Sequence, residues 1–400
     1  MKKTTAVVLT ITLLVLISSL VCARGTDSVS VENIPTNQGQ NIPTAQTTQT
    51  QNELPESISG LGPMNKITVS QAESRNAVCN DGTPAVYFIR RGIEEGSTRW
   101  IIHLQGGGFC YNSETCNRRG GQESELMTTG RTPRSRPGNG ILSSSNGDNK
   151  FFASVNQVFV AYCSSDLWSG DRAASPETNG LHFRGASIVR AVIEDLADPS
   201  ITASPNLAEA TDILFSGSSA GGAGVLAHLD WLAEKFPKAS VRGIDDAGWF
   251  INIPPYNPTL TPVDEVVQSA YKYWNGTVDE SCADVNPGTE GLCYLGEQVY
   301  PYISAPLFVQ IAQFDGPQLI SLGLKLPIDD AETEYANQFA AAVRASLESV
   351  MAAFSPADRT HGLLTNENFL SVRIDNLSLQ DVLGRWIFNL DGPVKVIDQP

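Results

Sequence analysis

The stretch Gly217-Ser218-Ser219-Ala220-Gly221 follows an apolar run and precedes a run with helical spacing. It fits the pattern G-x-S-x-G, in which a serine on a sharp strand-to-helix turn acts as a nucleophile. Glycines at this spacing keep Cβ atoms out of a crowded corner, and N–H groups at the start of the following helix can stabilise an oxyanion. The pattern therefore predicts Ser219 as a nucleophile for acyl transfer, with an ordinary tight turn as the alternative interpretation.

A serine nucleophile of this kind needs a histidine farther along the chain. The sequence contains four histidines, of which His103 and His182 precede the serine and His228 belongs to the helix-like run after it. Only His361 lies well downstream in a loop-like segment. We therefore predict that His361 is the general base, with a solvent-exposed surface histidine as the alternative.

The acid of such a triad is expected where an apolar strand ends between the serine and the histidine. Asp315 follows an apolar run, and Asp245 and Asp246 compete because they end an earlier one. The later strand is better placed, since one long helix then leads to the histidine. Asp315 is therefore predicted to orient the imidazole; a turn-forming aspartate before glycine is the alternative.

A second glycine-rich turn, Gly106-Gly107-Gly108, ends the apolar run RWIIHL. Bare backbone at such a turn can direct its N–H groups to a substrate carbonyl. We predict that the N–H groups of Gly107 and Ala220 hold the oxyanion while an acyl-enzyme forms on the serine and is then hydrolysed.

The elements that carry these residues alternate in type. Strand-like runs are AVYFIRRG, RWIIHLQ, QVFVAYC, DILFSG, VRGID and LFVQIAQF, and helix-like stretches cover residues 183–197, 224–236 and 334–354. Such alternation predicts a mostly parallel sheet with helices on both faces. We expect one α/β catalytic domain over residues 67–400.

The first residues have the pattern of a secretory signal. A basic start precedes an apolar run over residues 6–21, and Ala23 offers a small residue for cleavage. The run is short for a membrane span of about 20 apolar residues, so we predict a signal peptide over residues 1–23 and no stable membrane span after its cleavage. Residues 24–66 are rich in Thr, Gln and Pro and are predicted to be a disordered spacer. The protein is therefore expected to be secreted or extracytoplasmic.

The composition excludes some functions. The 400 residues carry a formal net charge of −16, which argues against nucleic-acid binding. The sequence has no CxxC pair and few histidines, so we expect no metal site and no cofactor. Cleavage after Ala23 would remove Cys22 and leave an even number of cysteines, which predicts disulfides in an exported protein but leaves their pairing open.

The chain resembles the pectin acetylesterase/Notum family of carboxylesterases. The motifs that carry the resemblance are HLQGGGFCYNSETC, VFVAYCSSDLWSGD, GSSAGGAGVLAHLD, VRGIDDAGWF, YKYWNGTV and FVQIAQFDGPQL. The resemblance implies an α/β-hydrolase fold, the triad of Ser219, Asp315 and His361, and the oxyanion donors Gly107 and Ala220. It also implies the disulfides Cys79–Cys163, Cys110–Cys116 and Cys282–Cys293.

The same motifs suggest the substrate pocket, whose candidate residues are Gly108, Phe109, Trp168, Trp249 and Phe314. Gly108 stands where Notum proteins carry a tryptophan. We expect the absence of that side chain to open the pocket and to favour short, acetyl-type acyl groups. The expected substrate is an acylated small molecule, glycan or protein. The alternatives are a Notum-like lipid or protein O-deacylase, a hormone-sensitive-lipase-like esterase, and an inactive hydrolase fold used for binding.

Overall fold

The computed structural model describes residues 61–122, 124–325 and 330–399. The predicted signal peptide and residues 24–60 of the predicted spacer lie outside the described residues. The first strand, β1 (Met64–Thr68), begins earlier than the boundary predicted at Ile67, because Met64 is fully buried and β1 pairs with two neighbouring strands.

A ten-stranded sheet forms the centre of the described chain, and a two-stranded sheet lies apart from it. After β1 the strands are β2 (Val86–Arg90), β3 (Arg99–Leu104), β4 (Ser135–Arg136), β5 (Asn156–Val160), β6 (Asp212–Ser218), β7 (Ser240–Asp246), β8 (Leu307–Gln310), β9 (Ala352–Ser355), β10 (Arg373–Ile374), β11 (Leu377–Ser378) and β12 (Lys395–Ile397). The order in the large sheet is β12-β9-β8-β7-β6-β3-β5-β2-β1-β4. Its strands run parallel from β12 to β5, and β2, β1 and β4 continue it antiparallel.

The helices connect the strands. They are α1 (Ser113–Gln122), α2 (Gly185–Ala197), α3 (Ala220–Lys235), α4 (Val263–Trp274), α5 (Glu280–Val285), α6 (Gly296–Val299), α7 (Gly316–Ser321), α8 (Asp330–Ser346), α9 (Asn368–Ser371) and α10 (Leu379–Phe388). Within the described ranges, no helix has both the length and the apolar character that crossing a membrane requires.

Two apolar cores cover the two faces of the large sheet. Along β6, Ile213 and Phe215 pack in one core with Val225 of α3. Leu214 between them belongs to the other core, together with Leu383 of α10. Because successive side chains of a strand point to opposite faces, this alternation places helices on both sides. The mostly parallel sheet with helices on both faces is what the alternating pattern predicted, and the architecture is that of an α/β-hydrolase, as the resemblance implied.

One predicted helix is too long. The stretch over residues 334–354 contains most of α8, which ends at Ser346, but its last residues form a turn and begin β9. The reason is tertiary, because β9 pairs on one side with β8 and on the other with β12. Such pairing overrides local helical spacing.

The candidate site residues all follow the carboxyl ends of parallel strands. Gly106–Gly108 follow β3, Ser219 follows β6, and Asp246 is the last residue of β7. Asp315 and His361 lie in the segments after β8 and β9. The topology therefore brings these residues to one edge of the sheet, which is where open α/β sheets bind their ligands.

Candidate active site

Ser219 occupies the sharp turn between β6 and α3. Its backbone has φ 57° and ψ −119°, a conformation that non-glycine residues rarely adopt. A Cβ atom at Gly217 would lie 2.1 Å from the carbonyl oxygen of Gly221, and one at Gly221 would lie 2.0 Å from that of Leu104. Glycine is therefore required at both positions, and the serine hydroxyl stands at the tip of a strained, tightly packed turn.

Asp315 and His361 form a hydrogen-bonded pair, with His361 Nδ1 2.7 Å from Asp315 Oδ2. Asp315 is fully buried, whereas the His361 side chain is 24% exposed. The second carboxylate oxygen of Asp315 accepts a hydrogen bond from the backbone N–H of Gln318 and thereby caps α7. The carboxylate is thus fixed from two directions, and a proton on Nδ1 leaves Nε2 of His361 as the proton acceptor.

The surroundings of His361 favour its protonated form. Burial lowers the pKa of the imidazole, but the hydrogen bond to Asp315 and the charges of Asp315 and Asp246 raise it. The net result is a pKa above the usual 6.5 of a histidine. Such an environment stabilises the imidazolium that a general base forms when it takes a proton from a nucleophile.

Ser219 and His361 line the same cavity, whose volume is about 390 Å³. The hydroxyl of Ser219 makes no hydrogen bond with another residue in the described part of the chain. Hydrogen bonds between catalytic groups often form only when the substrate is in place. The cavity is therefore a space from which one bound molecule could contact both side chains.

One of the two predicted oxyanion donors lines this cavity, and the other lies next to a residue that does. Ala220 is the first residue of α3 and lines the cavity. Gly107 lies in the glycine turn after β3 with φ 146°. Among the described residues, neither the N–H of Gly107 nor that of Ala220 has a hydrogen-bond acceptor.

The sequence singled out Asp246 only as a competing triad acid, and its place in the structure is different. It is fully buried, and its carboxylate accepts hydrogen bonds from the backbone N–H groups of Leu363 and Leu364 and from Ser218 Oγ. Burial raises the pKa of Asp246, although these hydrogen bonds oppose the rise. Asp246 thus holds the loop that carries His361, and nothing in the sequence pattern signals this role.

Two of the five predicted pocket residues line the cavity, namely Gly108 and Phe109. Trp168 and Trp249 do not line it, which corrects the prediction, because both side chains are fully buried in the core. Their ring N–H groups donate to the Gln105 carbonyl and to Ser346 Oγ, respectively. Phe314 is partly exposed and packs against the core, and it too lies outside the cavity wall.

Most of the cavity wall is apolar and was not predicted. Tyr111 lines it close to Phe109, and the apolar side chains that the sequence did not indicate are Leu167, Phe250, Ile251, Leu260, Val263, Val266, Val267, Pro317 and Leu322. Three of these belong to α4, whose valines at 263, 266 and 267 have the spacing of one helical face. That spacing was a usable signal, although it does not say whether the face meets the core or a cavity.

The cysteines of the described chain are paired as the resemblance implied, Cys79 with Cys163, Cys110 with Cys116 and Cys282 with Cys293. Cys110 follows the glycine turn closely, so its disulfide joins that turn to α1. In the ranges that the structure describes, no three His, Cys, Asp or Glu side chains are grouped so that they could hold a metal ion.

Comparisons with known proteins agree with this architecture. The pectinacetylesterase family model matches residues 61–400. The chain is 36% identical to palmitoleoyl-protein carboxylesterase notum1a of Danio rerio, over 78% of this chain and 64% of that protein. It is 34% identical to the palmitoleoyl-protein carboxylesterases NOTUM of Drosophila melanogaster, over 82% of this chain and 50% of the relative, and of Homo sapiens, over 81% and 67%.

These curated relatives are longer proteins, and the chain spans between half and about two thirds of their length. The family match, in contrast, covers every described residue of the chain. By that match, and by its identity with these relatives, the chain belongs to the pectinacetylesterase family.

Proposed function

We propose that this protein is a secreted serine carboxylesterase that hydrolyses O-acyl esters with Ser219, His361 and Asp315. The observation that carries the proposal is the 2.7 Å contact between His361 and Asp315 beside a cavity that His361 shares with Ser219. The strained turn at Ser219 supports the same reading, since strain of this kind concentrates at functional sites. The names of the relatives, all carboxylesterases, also support it.

The proposed reaction has two halves. His361 Nε2 takes the Ser219 proton while Oγ attacks the ester carbonyl, and the N–H groups of Gly107 and Ala220 bind the resulting oxyanion. The tetrahedral intermediate collapses to an acyl-enzyme as His361 returns the proton to the departing alcohol. Water then attacks the acyl-enzyme in the same way, releases the acid and restores Ser219.

The acyl group is proposed to be a chain longer than acetyl, seated in the apolar cavity. A volume of about 390 Å³ lies within the range of roughly 300–1,000 Å³ that is typical of pockets for drug-sized ligands. The expectation of a short chain rested on the missing tryptophan at Gly108, but side chains such as Phe250 and Leu260 wall the cavity elsewhere. The relatives named palmitoleoyl-protein carboxylesterases support a fatty-acyl chain as well.

An acetyl-type substrate is the second candidate, and one observation favours it. A Cβ atom at Gly108 would meet only the Arg119 guanidinium, at 3.5 Å, so this side of the cavity is open. An open side admits water and weakens the gain from each buried methylene group, which is about 0.8 kcal/mol in a closed site.

Secretion is part of the proposal. The disulfides in the structure support an oxidising compartment, and the signal-like start of the sequence supplies a route to it. Sequencing the N-terminus of the protein recovered from the culture medium tests this, and cleavage after Ala23 is the expected result.

The deciding experiment for the mechanism compares Ser219→Ala with Ser218→Ala on p-nitrophenyl butyrate. We expect the first variant to lose on the order of 10⁴-fold or more in kcat, because a triad acts as a unit. Ser218→Ala should keep most of its activity. Covalent labelling by a fluorophosphonate and peptide mapping should locate the adduct on Ser219, and an adduct on Ser218 would refute the assignment.

A series of p-nitrophenyl esters from two to sixteen carbons tests the acyl group. The proposal expects kcat/KM to rise with chain length to a maximum at eight carbons or more. A maximum between two and four carbons would instead support the acetyl-type candidate.

A further inference from the structure

Arg119 is a buried cation next to the candidate oxyanion site. Arg119 lies on α1 and is only 6% exposed. Its guanidinium lies 5.9 Å from the centre of the Tyr162 ring. Nη2 donates a hydrogen bond of 2.6 Å to the carbonyl oxygen of Gly107. Burying an arginine costs free energy unless its N–H groups are hydrogen-bonded. The hydrogen bond to Gly107 therefore helps to stabilise the buried guanidinium.

The hydrogen bond from Arg119 fixes the orientation of the peptide between Gly107 and Gly108. The carbonyl of Gly107 and the N–H of Gly108 belong to one trans peptide, in which the two groups point in opposite directions. With the carbonyl held by Arg119, the N–H of Gly108 faces away from the guanidinium. Gly108 lines the cavity with Ser219, and its N–H has no acceptor among the described residues.

Two glycines in succession would otherwise let this peptide turn over. Gly107 has φ 146° and Gly108 has φ 64°, and glycine crosses between such conformations more readily than any other residue. A flipped peptide would present the Gly107 carbonyl to the cavity. That oxygen would repel the negative charge that develops on the substrate.

Arg119 is itself held in place. Its Nε donates a hydrogen bond of 2.7 Å to Ser165 Oγ, which donates in turn to Asn80 Oδ1 at 2.6 Å. The disulfide between Cys110 and Cys116 joins the end of the glycine turn to the same helix that carries Arg119. The guanidinium is therefore a rigid support, in contrast to a long side chain free in solvent.

We propose that Arg119 is a positioning residue, which locks the Gly107–Gly108 peptide so that the N–H of Gly108, and not the carbonyl of Gly107, faces the cavity as a further donor to the developing oxyanion. The inference rests on the proposed esterase function of the same site. It assigns Arg119 no contact with the substrate. Its effect is expected on the transition state, where charge develops, and much less on substrate binding.

The test compares Arg119→Gln and Arg119→Lys with the wild type on p-nitrophenyl esters. We expect kcat to fall about 10- to 100-fold with KM within about threefold, somewhat less than the roughly 10²- to 10³-fold loss on removing an oxyanion donor. Arg119→Lys should recover part of the loss, because lysine can still donate to the carbonyl but cannot reach Ser165 at the same time.

Two inhibitors give a readout that a purely structural role would not change. A trifluoromethyl ketone forms a tetrahedral, anionic adduct with the serine, whereas the matching methyl ketone binds as a neutral ground-state analogue. Arg119→Gln should weaken the first inhibitor by the same factor as kcat and leave the second nearly unchanged. Equal weakening of both inhibitors would overturn the proposal.

Arg75 provides the matched control, because it is also a partly buried arginine, paired with Asp195 at 2.6 Å, but lies outside the cavity wall. Arg75→Gln should lower the melting temperature with kcat retained. If the Arg119 variants behave in that way, the inference is wrong although the esterase mechanism stands. If Ser219→Ala keeps its activity, the mechanism itself fails, so the two failures are distinguishable.

Discussion

The carboxylate of Asp246 accepts a hydrogen bond from the backbone N–H of Leu363 over 2.8 Å, and this contact joins the end of β7 to the loop that carries His361. The other carboxylate oxygen accepts from the N–H of Leu364 at 3.2 Å and from the hydroxyl of Ser218. Asp246 therefore links Ser218, the neighbour of Ser219, to the segment that carries His361, although it makes no hydrogen bond with the imidazole.

This arrangement predicts different outcomes for two aspartates. Asp315→Asn should lower kcat about 10⁴-fold, because the imidazole loses the group that fixes its tautomer. Asp246→Asn should cost only about tenfold in kcat/KM, through looser placement of the histidine loop, since one of two buried N–H groups loses its acceptor at about 1–3 kcal/mol. Steady-state kinetics and melting curves of both variants provide the measurement, and a larger loss at Asp246 would make it the triad acid.

The raised pKa of His361 predicts the acid side of the pH profile. Only neutral His361 can take the serine proton, so kcat/KM should fall as pH decreases through a value above 6.5. Removing the charge in Asp315→Asn removes a cause of the raised pKa, and the acid limb should move to lower pH while the maximum drops. A limb that stays in place in the variant would mean that another group titrates.

The raised pKa of His361 has the opposite effect on stability: activity is favoured at high pH, whereas the stabilising contribution of His361 is greatest at low pH. A histidine whose pKa is raised in the folded state stabilises the protein fully at pH values below its unfolded pKa. That contribution is lost as pH rises through the folded pKa. Urea unfolding of wild type and His361→Gln across pH 5 to 8 should therefore show the wild-type advantage shrinking with increasing pH.

The sequence was informative where chemistry depends on local spacing. The strand, the two glycines and the helix around Ser219 follow from a five-residue pattern, because the steric demand of that turn is local. His361 followed from elimination among four histidines. Asp315 was expected at the very end of an apolar strand, but β8 ends at Gln310 and Asp315 instead begins α7 as its capping residue.

The sequence was uninformative where packing between distant parts of the chain determines the position of a side chain. Asp246 contacts Leu363 across more than a hundred residues, and no pattern encodes that distance. Trp168 and Trp249 were expected in the pocket because their motifs meet at the site, yet the rings turn into the core. The sequence does not show which way an aromatic ring near a site points. Only the packed structure shows whether the ring lines the cavity or lies in the core.

Asp245 yields a prediction about stability. It is fully buried beside the start of α3, one oxygen accepts the N–H of Gly248, and the other oxygen has no hydrogen-bond partner in the described chain. Burial and the nearby charge of Asp246 raise its pKa well above the usual value of an aspartate. The folded protein is therefore more stable when Asp245 is protonated. Its free energy of unfolding should decrease as pH rises from the pKa of Asp245 in the unfolded chain to its pKa in the folded protein.

Asp245→Asn should remove this pH dependence, because asparagine has nearly the same shape and does not ionise. The melting temperature of the variant relative to the wild type should rise between pH 4 and pH 8, with kcat within about threefold of wild type. Differential scanning calorimetry at several pH values measures the gap. A gap that is constant with pH would show that Asp245 does not change its protonation on unfolding in this range.

The last prediction concerns the apolar cavity and uses a substitution that shortens it. Val266 on α4 lines the cavity, so the indole of Val266→Trp should fill the space that distal acyl carbons occupy. If four methylene groups are excluded at about 0.8 kcal/mol each, kcat/KM for a sixteen-carbon ester should fall on the order of 100-fold. Acetyl and butyryl esters, which reach only the vicinity of Ser219, should change little.

Val285→Trp is the matched control, because Val285 is 56% exposed on α5 and lies outside the cavity wall. This variant should leave the dependence on chain length as it is in the wild type. A uniform loss across all chain lengths in Val266→Trp would indicate a disturbed fold around the serine, and a loss confined to short esters would place the acyl chain elsewhere. Selective loss of the long esters is the result that a cavity for the acyl chain requires, because only the distal carbons extend far enough to meet the new side chain.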